Sequence, residues 1–254
     1  MLQAIVSDIH SNLEAMKVVL DDLLSKNISD IICLGDIIGY GPNPRECIDL
    51  ATAFRVSLLG NHEEALMEEL RTHGFNPKAT GAREWTYAQL DISPGAPHRE
   101  ENKKRWDFIG EMKYTHEEHE ALYVHGSPCE PTREYIYPRE ALAASKMERI
   151  FAAFSRVSFV GHTHMPGVFT EDLQFLRPED VGYLYRIPKN QKVLINVGSV
   201  GQPRDNDPRC CYLIWDGKAV VWRRLAYDTE KTVQKILAAE GLDRTLGIRL
   251  RTGR

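Results

Sequence analysis

The chain has 254 residues and a mass of 28.9 kDa, with 43% hydrophobic and 27% charged residues, the balance of a water-soluble globular protein. Its 32 basic and 36 acidic residues leave a net charge of −4, which excludes a nucleic-acid grip spread over the whole surface, though not a local basic cleft. No stretch approaches the ~20 apolar residues of a membrane helix, MLQAIVSDIH lacks the basic start and cleavage site of a signal peptide, and five cysteines without CxxC spacing read as reduced thiols of a cytoplasmic protein.

In chain order, LQAIV (2–6), DIICL (30–34) and FRVSLL (54–59) are apolar runs of strand length. Between the first two, Leu13, Met16, Val19, Leu20, Leu23 and Leu24 recur at helical spacing, and Ser11 with Glu14 forms a capping box at the helix start. Asn43-Pro44 opens a second helix. This β-α-β-α-β order predicts a parallel sheet. Residues 62–120 are charged, helical and poor in strand signals, with a break at Ser93–Pro97. A strand follows at 121–126, then a helix over about 138–154 and a strand at 156–161. The last third reads mostly as β: GVF, GYLYRI, KVLINVGS, CYLIWD and AVVWRRL, with a hairpin turn at WDGK (215–218). A last helix spans about 229–240, and the Arg-bearing tail RTLGIRLRTGR is expected to be frayed. The whole reads as one domain, 1–254, with a helical cap-like segment at 65–120.

Polar residues gather where the strands end. LQAIV runs into Asp8 and His10, DIICL into Asp36, FRVSLL into Asn61, His62 and Glu63, ALYV into His125, and RVSFV into His162 and His164. Each has a bland reading: Asp8 as a turn residue, His10 as a loop histidine, Asn61 as a cap partner of Glu64. In an open α/β sheet, however, the crevice beyond the carboxyl ends of the strands is where ligands bind, so these residues would converge. Asp8-x-His10 and His162-x-His164 also share a spacing that points both side chains the same way in extended backbone. Carboxylate, amide oxygen and imidazole without thiolate suit manganese, iron, cobalt, nickel or zinc. Seven ligands are too many for one ion with an open position and fit two ions sharing a bridge.

The ordered set DIH … GD … GNHE … HG … GHTH, followed by NVGSVGQPRD (196–205), resembles the calcineurin-like metallophosphoesterases. The resemblance implies a four-layer α/β/β/α sandwich. It implies that Asp8, His10, Asp36 and His164 bind one divalent ion and that Asp36, Asn61, His125 and His162 bind the second, with manganese first among the candidates. Phosphoester hydrolysis by a metal-bridging hydroxide follows, with His62 as general acid and Glu63 orienting it. The substrate expected is small and phosphorylated, a nucleotide included. The sequence leaves homo-oligomerisation open and gives no sign of a membrane partner.

The departures concern the substrate. Protein phosphatases and symmetrical diadenosine tetraphosphatases of the family carry GDxxDRG, whereas Asp36 is followed here by Ile37-Ile38-Gly39-Tyr40-Gly41. Phosphate contacts must come from elsewhere, with Arg204 in GQPRD as the candidate. The pattern is closer to the small bacterial and archaeal phosphodiesterases and to asymmetrical dinucleoside tetraphosphate hydrolases. A phosphomonoesterase or protein phosphatase is the alternative. A non-catalytic scaffold on the same fold, as in the retromer subunit that resembles this family, has lost the general-acid histidine that is intact here.

Overall fold

The structure, a computed structural model, describes residues 2–68 and 75–254. The first apolar runs form β1 (Gln3–Val6), β2 (Ile31–Cys33) and β3 (Val56–Ser57), parallel and joined by α1 (Leu13–Ser25) and α2 (Pro44–Ala51). Three antiparallel strands from the last third, β9 (Leu184–Arg186), β11 (Cys210–Trp215) and β12 (Ala219–Leu225), complete a sheet ordered β3-β2-β1-β11-β12-β9. The second sheet contains β4 (Thr115–Glu118), β5 (Ala121–Val124), β6 (Val157–Val160), β7 (Gly167–Thr170), β8 (Phe175–Leu176) and β10 (Val193–Asn196), in the order β4-β5-β6-β10-β7-β8. Within it β5, β6 and β10 are parallel.

Strands buried on both faces explain the near-continuous apolar runs. Ile5 and Ile32 point between the sheets, where Tyr123, Phe159, Val193, Ile195 and Trp222 meet them. Their neighbours Ala4, Val6 and Cys33 point outward, against Leu13, Met16, Val19 and Leu23 of α1 and Cys47 and Ile48 of α2. On the far side, Leu122, Val124, Val160 and Leu194 pack under Met147, Ile150 and Phe151 of α6 (Ala144–Ala152). The result is the expected four-layer α/β/β/α sandwich. Each large side chain in the three interfaces contributes about 1.5–3 kcal/mol of burial.

Several expectations are corrected. The cap of α1 is Asn12, whose side chain accepts from Ala15 N at 3.2 Å, while Ser11 takes a left-handed backbone. Glu14, freed from capping, bonds Lys235 at 2.6 Å. The run at 54–59 yields only Val56–Ser57 as ladder, with Leu58 bridging Lys113. The 65–120 segment contains α4 (Pro77–Gln89) and α5 (Arg99–Gly110) but also strand β4, and its residues 69–74 lie outside the described ones. Strand β4 is a sheet edge, so its sequence, THEE, can stay polar. The helix expected at 138–154 is a 3-10 turn, Pro138–Leu142, broken from α6 at Ala143, whose ψ of 78° is not helical. The tail is not frayed: α8 (Arg244–Ile248) and a 3-10 turn, Arg249–Thr252, bury Leu246 and Leu250 against α7 (Thr229–Ala238).

Candidate metal centre

The carboxyl ends of β1, β2, β5 and β6 face one another across the two sheets and are tied there. Ser199 Oγ and Gly201 N donate to Asp8 O at 2.8 and 2.9 Å, and Asn196 Nδ2 donates to Gly161 O at 2.7 Å. His162 N donates to Asp8 Oδ2 at 3.0 Å, and His62 N donates to Asp36 Oδ1 at 2.9 Å. Each bond crosses a glycine step: a Cβ at Gly161 or Gly60 would collide with the carboxylate oxygen beside it.

Of the seven candidate ligands, Asp8, His10, Asp36, His162 and His164 all have positive φ, between 47° and 63°. Only a few per cent of non-glycine residues adopt this conformation. Each such residue costs of order 1 kcal/mol or more and persists only where the surroundings impose it, most often at functional sites.

The side chains form two clusters, and all seven candidates are in them. In the first, His164 Nε2 lies 3.0 Å from Asp8 Oδ1 and 3.2 Å from His10 Nε2. In the second, His125 Nε2 lies 3.1 Å from Asn61 Oδ1, 3.1 Å from His162 Nδ1 and 3.3 Å from Asp36 Oδ2. Asp36 Oδ2 is also 3.8 Å from His10 Nε2, so one oxygen faces both clusters.

The outer ring nitrogens decide what the inner ones carry. His10 Nδ1 donates to Ile38 O at 3.1 Å, His162 Nε2 donates to Arg133 O at 3.3 Å, and His164 Nδ1 donates to Gln202 O. A carbonyl only accepts, so these outer nitrogens hold the protons and the inner ones present lone pairs. The first cluster is therefore acceptor against acceptor, and Asp8 Oδ1, fully buried, has no hydrogen-bond donor. Such a set repels itself unless a cation sits within it. Donors bound to one ion at roughly 2.0–2.2 Å lie about 3 Å apart, the spacing seen.

The electrostatics agree. Burial opposes ionisation of Asp8, yet positive charge on the side of the pocket that His164 and His125 line holds its carboxyl well below the usual range. Burial also lowers His125, but the Asp36 charge overrides it and lifts the imidazole to about 9. The pocket is negative and favours a positive charge at its centre. Burial brings His10 and His162 well down and His62 down to about 4, so these rings are neutral there.

The other two candidates for catalysis stand differently. The His62 ring lies among Tyr40, Phe75 and His10, at centroid distances of 4.5, 5.0 and 5.0 Å, and is also within ligand reach of His10 and Asp36. Glu63 does not meet the expectation that it orients His62. Its oxygens instead accept from the backbone N–H groups of Asp36 (2.9 Å), Ile38 (3.0 Å) and Gly60 (3.0 Å), where it acts as a clamp on the Asp36 loop. Burial and the Asp36 charge raise its carboxyl to about 7. Nor does Asn61 cap α3 (Asn61–Met67) with Glu64; the cap is Gly60. Arg204 is held by Gln202 Oε1 at 2.7 and 3.0 Å.

A family model, the calcineurin-like phosphoesterase superfamily domain, matches residues 1–219. The chain belongs to that superfamily. It is a metal-dependent phosphoesterase, and its clustered aspartates and histidines fit the divalent ions such enzymes use. This phosphoesterase is 35% identical to an uncharacterised protein of Methanocaldococcus jannaschii, over 99% of this chain and 98% of that one. It is also 35% identical to a metallophosphoesterase from Sphaerobacter thermophilus of known crystal structure, with a TM-score of 0.83, covering 100% and 99% of the two chains. A protein of Pyrococcus horikoshii, 17% identical with a TM-score of 0.76, shares the fold over 100% of this chain and 98% of its own.

Sequence reading missed the aromatic lining of the phosphoesterase centre. Tyr40 packs on His10 and His62 at 4.7 and 4.5 Å, and Tyr135 stacks on His162 at 3.7 Å. Tyr40 was within reach, four residues after Asp36; Tyr135 follows no motif.

Proposed function

We propose that the phosphoesterase uses two divalent cations, manganese first among the candidates, to hydrolyse phosphodiesters or dinucleoside polyphosphates. Asp8, His10, Asp36 and His164 would hold one, and Asp36, Asn61, His125 and His162 the other. The observation that carries this reading is the single oxygen, Asp36 Oδ2, facing both donor clusters at 3.3 and 3.8 Å. Cations bound there supply an activated water and neutralise charge growing on the phosphoryl oxygens. His62, packed at the rim of the centre, donates a proton to the leaving oxygen once the phosphoryl charge beside it has raised its pKa. Arg204 offers its guanidinium to the substrate's phosphates.

The aromatic lining supports a nucleoside-bearing substrate. Tyr135, stacked on His162, keeps 39% of its surface exposed, and Tyr137 stacks parallel to it at 5.3 Å. Aromatic faces and edges at a site mouth are worth about 1–3 kcal/mol per stacked base. We assign residues 65–120 as the specificity cap, because Phe75 reaches the His62 ring and Arg83 Nε anchors α4 to Ala65 O at 3.0 Å. A cytoplasmic setting fits five free cysteines.

The test is a panel on manganese-loaded protein: a phosphomonoester, a bis-ester, a cyclic nucleotide and diadenosine tetraphosphate. Turnover should favour the bis-ester or the tetraphosphate. His62→Ala should keep the bound metal and lose turnover by about 10²-fold or more, least for substrates with good leaving groups. Preference for the monoester would reject the substrate class. Metal loss in the His62 variant would reject the role given to that residue.

A further inference from the structure

The C-terminal turn brings a second guanidinium to the rim of the centre. Arg249 opens the 3-10 turn Arg249–Thr252, and the buried Leu246 and Leu250 seat it against Val233 and Ile236 of α7, with Tyr40 packed on the same cluster. The chain end is tied to the loop that carries Arg204. Asn206 N donates to Gly253 O at 2.9 Å, and Arg254 Nε donates to Asn206 Oδ1 at 3.1 Å. Gly253 has a φ of +65°, and a Cβ there would lie 2.6 Å from the Asp207 carbonyl, so no other residue fits this closure.

Arg249 and Arg204 flank the same ring: their guanidinium carbons lie 4.7 and 5.9 Å from the centre of Tyr40. That ring touches both His10 and His62. The two charges are not matched by carboxylates. Among the described residues, Arg204 bonds only the neutral Gln202 side chain, and Arg249 Nε and Nη2 are enclosed without an acceptor. The nearby carboxylates of this loop are committed elsewhere, Asp205 to Arg224 and Asp207 to Arg209. Burial and the proximity of Arg204 bring the Arg249 guanidinium down to about 10, with Tyr40 and the Asp243 carboxylate opposing the shift only in part. Tyr40 stabilises one cation through its ring face, which does not neutralise two.

We infer that Arg249 and Arg204, steadied on Tyr40, form a subsite for a second, non-reacting phosphate of the substrate, beside the phosphoryl group held at the metal centre. A guanidinium presents a planar fork of donors that matches phosphate oxygens. The subsite rests on the phosphoesterase reading and narrows it: linked phosphates are selected over a lone monoester. It draws on chain beyond the family match at 1–219, so it distinguishes this phosphoesterase from relatives built differently there.

The experiment is calorimetric binding of pyrophosphate and of orthophosphate to metal-loaded protein, with cation in excess of both anions. Wild type should bind pyrophosphate at least tenfold more tightly than orthophosphate. Arg249→Ala and Arg249→Gln should each lose about tenfold of that margin, with orthophosphate affinity, bound metal and melting temperature unchanged. The Gln variant keeps most of the packing stem, so a loss in both variants at constant melting temperature reports the charge. No pyrophosphate margin in wild type, an intact margin in both variants, or an equal loss for both anions would each overturn the subsite. A parallel titration with methylenediphosphonate, whose P–C–P bridge is not hydrolysed, keeps hydrolysis out of the measurement. A pyrophosphate margin without turnover on any ester would reject the ester reading and leave the subsite standing.

Discussion

Glu63 illustrates what a residue can hide. Its place between His62 and Glu64 suggests a partner for the imidazole, but its carboxylate accepts three backbone N–H groups and shapes the loop that presents Asp36. Backbone bonds of this kind leave no periodic trace in sequence. The seven candidate ligands were legible because each follows an apolar strand and carries a metal-binding group; Glu63 shares the address without sharing the chemistry. The consequence is a stability prediction. Glu63→Ala leaves three buried donors unmatched, each worth about 1–3 kcal/mol, so unfolding free energy should fall by about 3 kcal/mol or more in urea titration. Glu63→Gln keeps one acceptor oxygen and should fall between. An alanine variant as stable as wild type would show that water or the backbone replaces the clamp.

At the scale of elements, runs buried on both faces were legible and edges were not. Strand β4 reads as polar because its ladder lies at a sheet edge, and only the structure reveals what it does there. Its Glu118 ties the two sheets together: Arg55 Nη2 and Gln3 Nε2, both from the other sheet's side, donate to it at 2.6 and 2.8 Å. Arg55, more than burial or Gln3, sets its carboxyl at about 2, below the ordinary 4.5. A depressed carboxyl contributes stability above its unfolded pKa and loses it as pH falls through the folded one. The Arg55 partner of Glu118 is 40% exposed, so solvent screening keeps the contribution to at most about 1 kcal/mol. Glu118→Gln should therefore be slightly less stable than wild type near neutrality. The gap should hold down to the unfolded pKa and close between pH 4.5 and about 2. Urea unfolding of both proteins across that window checks it, and a gap independent of pH would assign the effect to packing. The tail escaped sequence reading for a related reason. Its two apolar anchors, Leu246 and Leu250, make too short a pattern to announce docking against α7.

For the whole molecule, two sheets pack face to face, and their strand ends converge so that one carboxylate can serve both halves of a site. Asp8 and its partner histidines come from β1 and the loop after β6, while Asn61, His125 and His162 come from α3, β5 and that same loop. Asp36 stands where they join, and its isolation among Ile, Gly and Pro in GDIIGYGPNP is explained by partners brought from distant sequence: its Oδ2 lies 3.3 Å from His125 Nε2 and 3.8 Å from His10 Nε2. Asp36→Asn and Asp8→Asn are matched changes with different expected stoichiometries. Both variants retain an oxygen for the backbone N–H that each carboxylate accepts, from His62 and His162 respectively. Each would turn an NH₂ group toward the cation position, and an amide NH₂ does not coordinate. At Asp8 this removes a ligand from one cluster; at Asp36 it removes the shared oxygen from both. Metal analysis after manganese loading and buffer exchange should give two ions per chain for wild type, one for Asp8→Asn and none for Asp36→Asn. Melting temperature should follow in step, since each ion at a hundredfold excess over its Kd stabilises the fold by about 2.7 kcal/mol. One ion retained by Asp36→Asn would mean that its oxygen serves a single cluster, and the bridge would have to lie elsewhere.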